Sequence, residues 1–415
     1  MDLIYSLRRH VKETFQYIST YSSLLPEAGK AIFGFKVDII SLRGQIRGTD
    51  ETIEILYAGR RLNLPYLKKT FFAPGEVLES HSQSANLLTF RRSMKTSEPA
   101  ADVVLMDIGW PYHGIINKQG EYLELPDWLN MVVPINDDWE SIVKRFRRTT
   151  RNNDLRLIRR NQYHCEESND PEIIRNFYDD FYLPFVTHRH GGDLILSTRK
   201  HIEKRAKQGT ILQVVGDSGP VAAGVVYPEN GVLYFLWTGM PASCIENPPE
   251  AAISALSLFC LRYAFDHSFE SVDFTGTRAL PKDGVFQSKR KWGAIVEDSF
   301  SPSSILFKPA ANNMKAAVFC EQFPLVARRG NDLELVVCVR VPNFDDSECE
   351  RVLSRFFCEG IGQVTVVHLS EQCQDANLNA RSKHPNVRVI SSDLARFTRF
   401  YRRDFISDNE QRPGT

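Results

Sequence analysis

Apolar positions in the opening segment recur every three to four residues, with Leu3, Leu7, Val11, Phe15 and Ile18 on one face, which predicts an amphipathic helix over 3–18. Lys and Arg flank that face. Packing against the rest of the protein is the plainer role for it, and a membrane surface is the alternative. Short runs of β character follow around 31–41, at 52–58 (TIEILYA) and at 101–108 (ADVVLMDI), with a helix-like segment at 62–72 between the second and third. The polar stretch 76–100 reads as a loop. Residues 139–160, WESIVKRFRRTTRNNDLRLIRR, predict a strongly basic helix or pair of helices. A further helix is predicted over 170–186, with Asp170 as N-cap and Pro171 at the first helical position. TILQVVGD (210–217) predicts a strand, and PVAAGVVYPENGVLYFLWTG (220–239) a hairpin turning at Glu229-Asn230-Gly231. A long apolar helix (249–267) and a strand, SVDFTGT (271–277), come next. That order predicts an α/β or α+β layer, a helix packed on a mainly antiparallel sheet. The tail, 331–405, reads LELVVCVRV, an acidic helix through Phe357, QVTVVHL and NVRVI, a small β-α-β-like unit. No glycine-rich turn follows its first strand, so a dinucleotide site there has no support.

Composition narrows the class. The chain has 415 residues, is 42% hydrophobic and 11% aromatic, and balances Lys+Arg 51 against Asp+Glu 51. At about 100–200 residues per domain, that is two or three domains, and it excludes disorder as the main character. Zero net charge argues against a protein that coats nucleic acid with its whole surface. There is no apolar run of the roughly 20 residues that cross a bilayer, and the first residues lack a signal peptide's apolar middle, so the expected location is the cytoplasm. The eight cysteines (Cys165, Cys244, Cys260, Cys320, Cys338, Cys349, Cys358 and Cys373) have no CxxC or zinc-type spacing and read as buried residues or plain thiols. His188 and His190 lack a carboxylate or cysteine at ligand spacing, so no metal is expected.

Three segments then carry a resemblance by their order: RFRRTTRNNDLRLIRRNQYHCE, NFYDDFYLPFV, and AAISALSLFCLRYAFDHSFESVDFTGTRALPKDGVFQSKRKWGA. Over roughly 140–296 the chain resembles the GNAT-fold transferases of the Fem-type and cellulose-biosynthesis-associated branch. The resemblance implies tandem GNAT-like domains with mixed, mainly antiparallel sheets: an N-terminal helix and GNAT-like half (1–138), a C-terminal acyltransferase domain (139–310), and a linker with a small α/β tail (311–415). Two departures stand out. Asp273-Phe274-Thr275-Gly276 replaces the branch's Asp-Phe-Gly run, and MPASCIENPPEAA (240–252) replaces a glycine-rich pyrophosphate loop, leaving fewer backbone N–H groups for phosphate.

What the resemblance implies is an N-acyltransferase acting without a covalent intermediate, in keeping with the lack of a Gly-x-Ser-x-Gly elbow. Lys289 takes the place of the family's final lysine, as oxyanion stabiliser or phosphate holder, or else as a solvated lysine in a basic turn. Asp273 would accept the amine proton or orient Arg278, unless it is a strand-end aspartate in a salt bridge. Arg278 and Asp283 share the loop that follows. Trp292 is a candidate for binding but suits packing at the sheet end, and Trp237 is a second aromatic candidate. Eight cations lie between Lys144 and Arg160 against Asp154 alone; Arg147, Arg148, Arg151 and Arg159 are candidates for phosphate, or else a solvated face. Tyr182 reads as groove lining and His188 as a candidate base. Two donors stay open: acyl-CoA (acetyl-CoA), which the wider superfamily favours, and aminoacyl-tRNA, which the Fem-type segments and basic helix favour. The acceptor is an amine on a sugar, peptide or cell-envelope precursor. A non-catalytic module that binds such a partner is the rival class.

Overall fold

The computed structural model describes residues 37–59, 61–85, 90, 94, 98–109, 113, 116–190, 196–299, 303–341, 344–369, 386–394 and 396–402. The helix expected over 3–18 and Cys373 lie outside these residues. In chain order the first elements are β1 (Val37–Gln45), β2 (Thr52–Gly59), α1 (Leu64–Phe71), β3 (Leu78–Ala85), β4 (Val103–Gly109), β5 (Leu123–Pro126) and β6 (Leu129–Pro134). Next come α2 (Trp139–Arg145), a π turn (Thr150–Asp154), α3 (Leu155–Arg160), β7 (His164–Ser168), α4 (Pro171–Phe177), a second π turn (Tyr178–Tyr182), α5 (Leu183–His190) and α6 (Arg199–Gln208). The centre of the chain adds β8 (Thr210–Gly216), β9 (Gly219–Glu229), β10 (Val232–Gly239), α7 (Ala252–Asp266), β11 (Ser271–Thr277), α8 (Gly284–Arg290) and β12 (Ile295–Asp298). The last stretch holds β13 (Ser303–Pro309), α9 (Met314–Gln322), β14 (Leu325–Arg329), β15 (Asp332–Val339), α10 (Asp346–Phe356), β16 (Gln363–Leu369) and β17 (Val387–Ser392).

Two compact units result. One comprises 1–129, 278–283 and 298–415; the other comprises 130–277 and 284–297. The chain therefore leaves the first unit after β5, re-enters it briefly before α8, and returns for good at β13.

The first unit holds two sheets. Six strands lie in the order β3-β1-β2-β4-β13-β5, in which β2 and β4 run parallel from Ile55↔Val103 to Gly59↔Asp107. Strand β13, expected within 139–310, pairs antiparallel with β4 and β5 in this sheet. The second sheet, β14-β15-β16-β17, is parallel from β15 onward, as the β-α-β pattern of the tail predicts. Its crossover α10 is capped by Asp345, which accepts from the Glu348 N–H at 2.9 Å, and buries Cys349, Val352, Leu353 and Phe356. An aromatic cluster joins the elements: Phe319 of α9 lies 5.0 Å from Phe71 and 6.1 Å from Phe307, and Phe307 lies 5.7 Å from Tyr401. Arg328 of β14 adds a part-buried ion-pair cluster with Asp298 at 2.5 and 2.8 Å and Glu124 at 3.1 Å.

One expectation is corrected here. Residues 76–100 are not all loop, because β3 pairs with β1 from Val37↔Ala85 to Arg43↔Leu78. The strand reads LESHSQSA and forms a sheet edge; an edge strand has no second neighbour to demand apolar residues, so no hydrophobic signal marks it. The polar edge strand β7, HCEES, escaped the pattern for the same reason.

The second unit is built on the order β12-β6-β11-β10-β9-β8-β7. The β9–β10 hairpin turns at Asn230 and Gly231, both at positive φ (52° and 80°), the conformation that an Asn-Gly pair supplies. Helix α7 connects β10 to the parallel strand β11 and buries Ala255, Leu256, Cys260, Leu261 and Ala264. Asp170 caps α4 by accepting the Glu172 N–H at 2.7 Å, with Pro171 at the first position as expected. The helix predicted over 170–186 forms as α4 and α5 with a π turn between them. The basic stretch 139–160 likewise breaks at Phe146, whose backbone is extended, and resumes through a π turn into α3.

Candidate functional site

A place in this unit with backbone groups open to chemistry is where β10 and β11 part. They pair only at Val232↔Ser271, Leu233↔Val272 and Tyr234↔Asp273, yet β10 runs on to Gly239 and β11 to Thr277. A bulge on β10 between Phe235 and Trp237 turns the strand just past the last pair. Gly224 makes room for that turn, since a Cβ there would meet Phe235 Cε2 at 2.6 Å and Leu256 at 3.1 Å. Two parallel strands that diverge present backbone N–H and C=O groups along facing edges, which an extended amide-bearing ligand can pair.

On the β11 side, Asp273 is the last paired residue and is 5% exposed. Its Oδ1 accepts the Thr275 N–H at 2.6 Å, and Thr275 has φ 65°. That conformation suits glycine; in this chain the aspartate's hydrogen bond holds a β-branched residue in it. Lys289, at the end of α8, donates its ammonium to Thr275 O at 3.2 Å and Gly276 O at 2.7 Å. The structure thus brings Asp273 and Lys289 to the same short bend.

On the β10 side, Trp237 Nε1 donates to Ser197 Oγ at 2.9 Å, and the Ser197 N–H donates to the hydroxyl of buried Tyr182 at 3.2 Å. Tyr182 closes the second π turn, and the Met240 N–H donates to Phe181 O at 3.2 Å. Gly239 permits this approach, because a Cβ would strike the Phe181 carbonyl. A π turn inside a helix widens it locally and often marks a functional site. His201 of α6 stands edge-on to Trp237 at 5.3 Å. Burial, with Arg205 and Lys204 nearby, holds its imidazole below the usual range, which favours the neutral form.

At the start of α7, Lys291 Nζ donates to Ser254 Oγ at 2.7 Å and reaches Asp154 at 3.3 Å, while Ser254 Oγ donates to Asp154 at 3.1 Å. This seats the first π turn on the first turn of a 15-residue helix whose N-terminus no side chain caps. Arg148, Arg151 and Arg159 are exposed beside it in sequence, whereas the Arg147 guanidinium donates to Gln287 Oε1 at 3.2 Å.

The other expected residues are placed elsewhere. Trp292 is buried and packs edge-on against Phe146 at 5.1 Å. His188 is exposed on α5. Arg278 belongs to the first unit, where it pairs with Asp127, donates to Asn63 Oδ1 at 2.7 Å and lies 3.9 Å over the Trp128 ring. In the same unit Asp283 accepts from the Tyr66 hydroxyl at 2.9 Å. Sequence reasoning missed Ser197, His201, Ser254 and Lys291. Only the last had a signal, as a neighbour of the final motif. Among the described residues no three His, Cys, Asp or Glu side chains gather as a metal group, and no helix is long and apolar enough to cross a membrane.

Sheets that mix parallel and antiparallel pairs, with helices packed against them, define a mixed α/β fold. No family model and no curated protein matches the chain. Among solved structures it is similar to FemX, with 12% identity, 65% of this chain and 84% of that chain covered and a TM-score of 0.35. It is also similar to L-PGS from Bacillus licheniformis (11% identity, 64% and 83% covered, TM-score 0.33). A third is a GCN5-related N-acetyltransferase from Sphaerobacter thermophilus (12% identity, 61% and 71% covered, TM-score 0.30).

Proposed function

We propose that the second unit transfers an acyl group from an activated donor, an acyl-CoA in the first place, to an amine on a sugar, peptide or cell-envelope precursor. The observation that carries the reading is the parting of β10 from β11 after Tyr234↔Asp273. The donor's extended, amide-bearing arm pairs with the facing strand edges, and a backbone N–H of β10 stabilises the oxyanion as the amine attacks the carbonyl. The C–N bond forms, the bond to the donor sulfur breaks, and the thiolate leaves. Asp273, at the root of the parting, and His201, against Trp237, are the candidates to take the amine proton. Lys289 supports the reading by fixing the bend of β11 through two carbonyls rather than by contacting substrate.

A second reading has aminoacyl-tRNA as donor, supported by exposed Arg148, Arg151 and Arg159. Calorimetry with acetyl-CoA and gel shifts with charged tRNA at two salt concentrations separate the two. Micromolar acetyl-CoA binding that survives replacement of the three arginines by Gln is the expected result. Salt-resistant tRNA binding without coenzyme A binding overturns the choice of donor. If neither donor binds, the unit is a binding module and the transferase reading fails.

A further inference from the structure

In the first unit a cavity of about 300 Å³ opens between α10, the carboxyl end of β15, the end of α9 and residue 282. Its floor is apolar, formed by Val337, Cys338 and Val339, and Phe356 lines one wall. Its other walls are cationic. Arg351 and Arg355 project from α10, and Lys282 comes from the short segment that re-enters this unit. We propose that this cavity binds a small anion, a phosphate or carboxylate group on a short apolar body, held by Lys282 and Arg355.

Charge carries the argument. The Lys282 ammonium donates to the neutral amide oxygen of Gln322 at 3.3 Å and forms no ion pair among the described residues. A part-buried cation beside a second cation is costly unless an anion joins them. The one carboxylate in the walls is Glu321 of α9, and Arg340 already holds it at 2.6 Å. Arg351 is engaged by Glu348 on its own helix, at the exposed rim. Arg355 and Lys282 lie 5.2 and 5.9 Å from the centroid of the Phe356 ring. Burial first, and Arg355 second, bring the Lys282 pKa down to about 8, with Glu321 opposing. An anion between Lys282 and Arg355 reverses both effects.

Location agrees with charge. Ligands of parallel sheets commonly sit near the carboxyl ends of the strands. The cavity floor is the carboxyl half of β15, the strand that feeds α10. Its volume is at the low end for small-molecule sites, which suits one charged group and a short body rather than a dinucleotide.

The test uses the full chain, with phenyl phosphate, benzoate and inorganic phosphate as probes and benzyl alcohol as the uncharged control, each titrated by calorimetry at pH 7. The expected result is saturable binding of the anions and none of the alcohol. Lys282→Gln and Arg355→Gln each weaken binding about tenfold or more, as loss of a charge-assisted bond does, while Lys282→Arg keeps it. Wild-type affinity falls as pH rises through about 8, since only the protonated lysine attracts the anion, and K282R loses that dependence. The other charged groups at the walls are Glu321, Arg351 and Arg355, with Arg340 paired to Glu321. Thermal melts of K282Q at or above the wild-type midpoint show that weakened binding is not unfolding. Saturable binding that neither neutral variant changes overturns the proposal, as does its absence for every anion up to millimolar concentration.

Discussion

At Thr275 a single backbone angle decides how a strand ends. A β-branched residue at φ 65° is strained, and the Asp273 carboxylate offsets the strain by accepting its N–H. Thr275→Gly removes the strain and keeps the hydrogen bond, so denaturation should show a gain of about 1 kcal/mol. Loss of stability instead would mean that the threonine side chain contributes more than its backbone costs. Asp273→Asn is the complementary variant. It retains an acceptor oxygen for the turn but cannot take a proton, so the midpoint of unfolding should move by only a few degrees. If Asp273 is the proton acceptor, kcat for amine acylation falls about 100-fold or more with KM little changed. If kcat is unaffected, His201 becomes the acceptor to test.

Elements show why part of the site was legible and part was not. The 139–160 and 170–186 helices, the Asn230-Gly231 hairpin, α7 and β11 were readable because period, caps and turn residues are local signals. The π turns were not, since one extra residue in a helical turn leaves the apolar pattern of FYDDFYLPF nearly intact. Nor were Ser197 and His201, which reach Trp237 only through tertiary packing of the loop and helix before β8. Lys289 was found by position, yet its ammonium proved to be spent on two carbonyls. The π turn at 178–182 is itself testable, because its seat depends on the missing side chain of Gly239. Gly239→Ala forces Phe181 and the end of β10 apart and should cost about 1–3 kcal/mol. A neutral result in urea titration would show that the π turn can yield without disturbing the sheet.

Over the whole molecule, chain continuity and structural units do not coincide. Residues 311–415 read as a linker and small α/β tail; within the first unit, Phe319 and Tyr401 complete the aromatic cluster around Phe71 and Phe307, and Arg328 completes the cluster with Glu124 and Asp298. A chain cut at 310 exposes Phe71 and Phe307 and leaves two part-buried carboxylates without their cation, so it should be insoluble or proteolysed where the full chain resists. The same cluster predicts a pH dependence. Burial alone would raise the Glu124 pKa, but His113, its imidazole 3.1 Å away, and Arg328 outweigh it and hold the carboxyl down to about 2, against an ordinary value of 4.5. The folded state therefore prefers the ionised form, and the unfolded chain takes up the proton first. That stabilisation is whole above about pH 4.5 and is lost as pH falls toward 2. Glu124→Gln removes it at every pH, so the variant should melt lower than wild type at pH 6 and lose less on going to pH 3. The two melting curves then converge in acid. Curves that stay parallel from pH 6 to pH 3 would show that Glu124 titrates alike in both states and that the hold of β14 on the N-terminal sheet lies in packing alone.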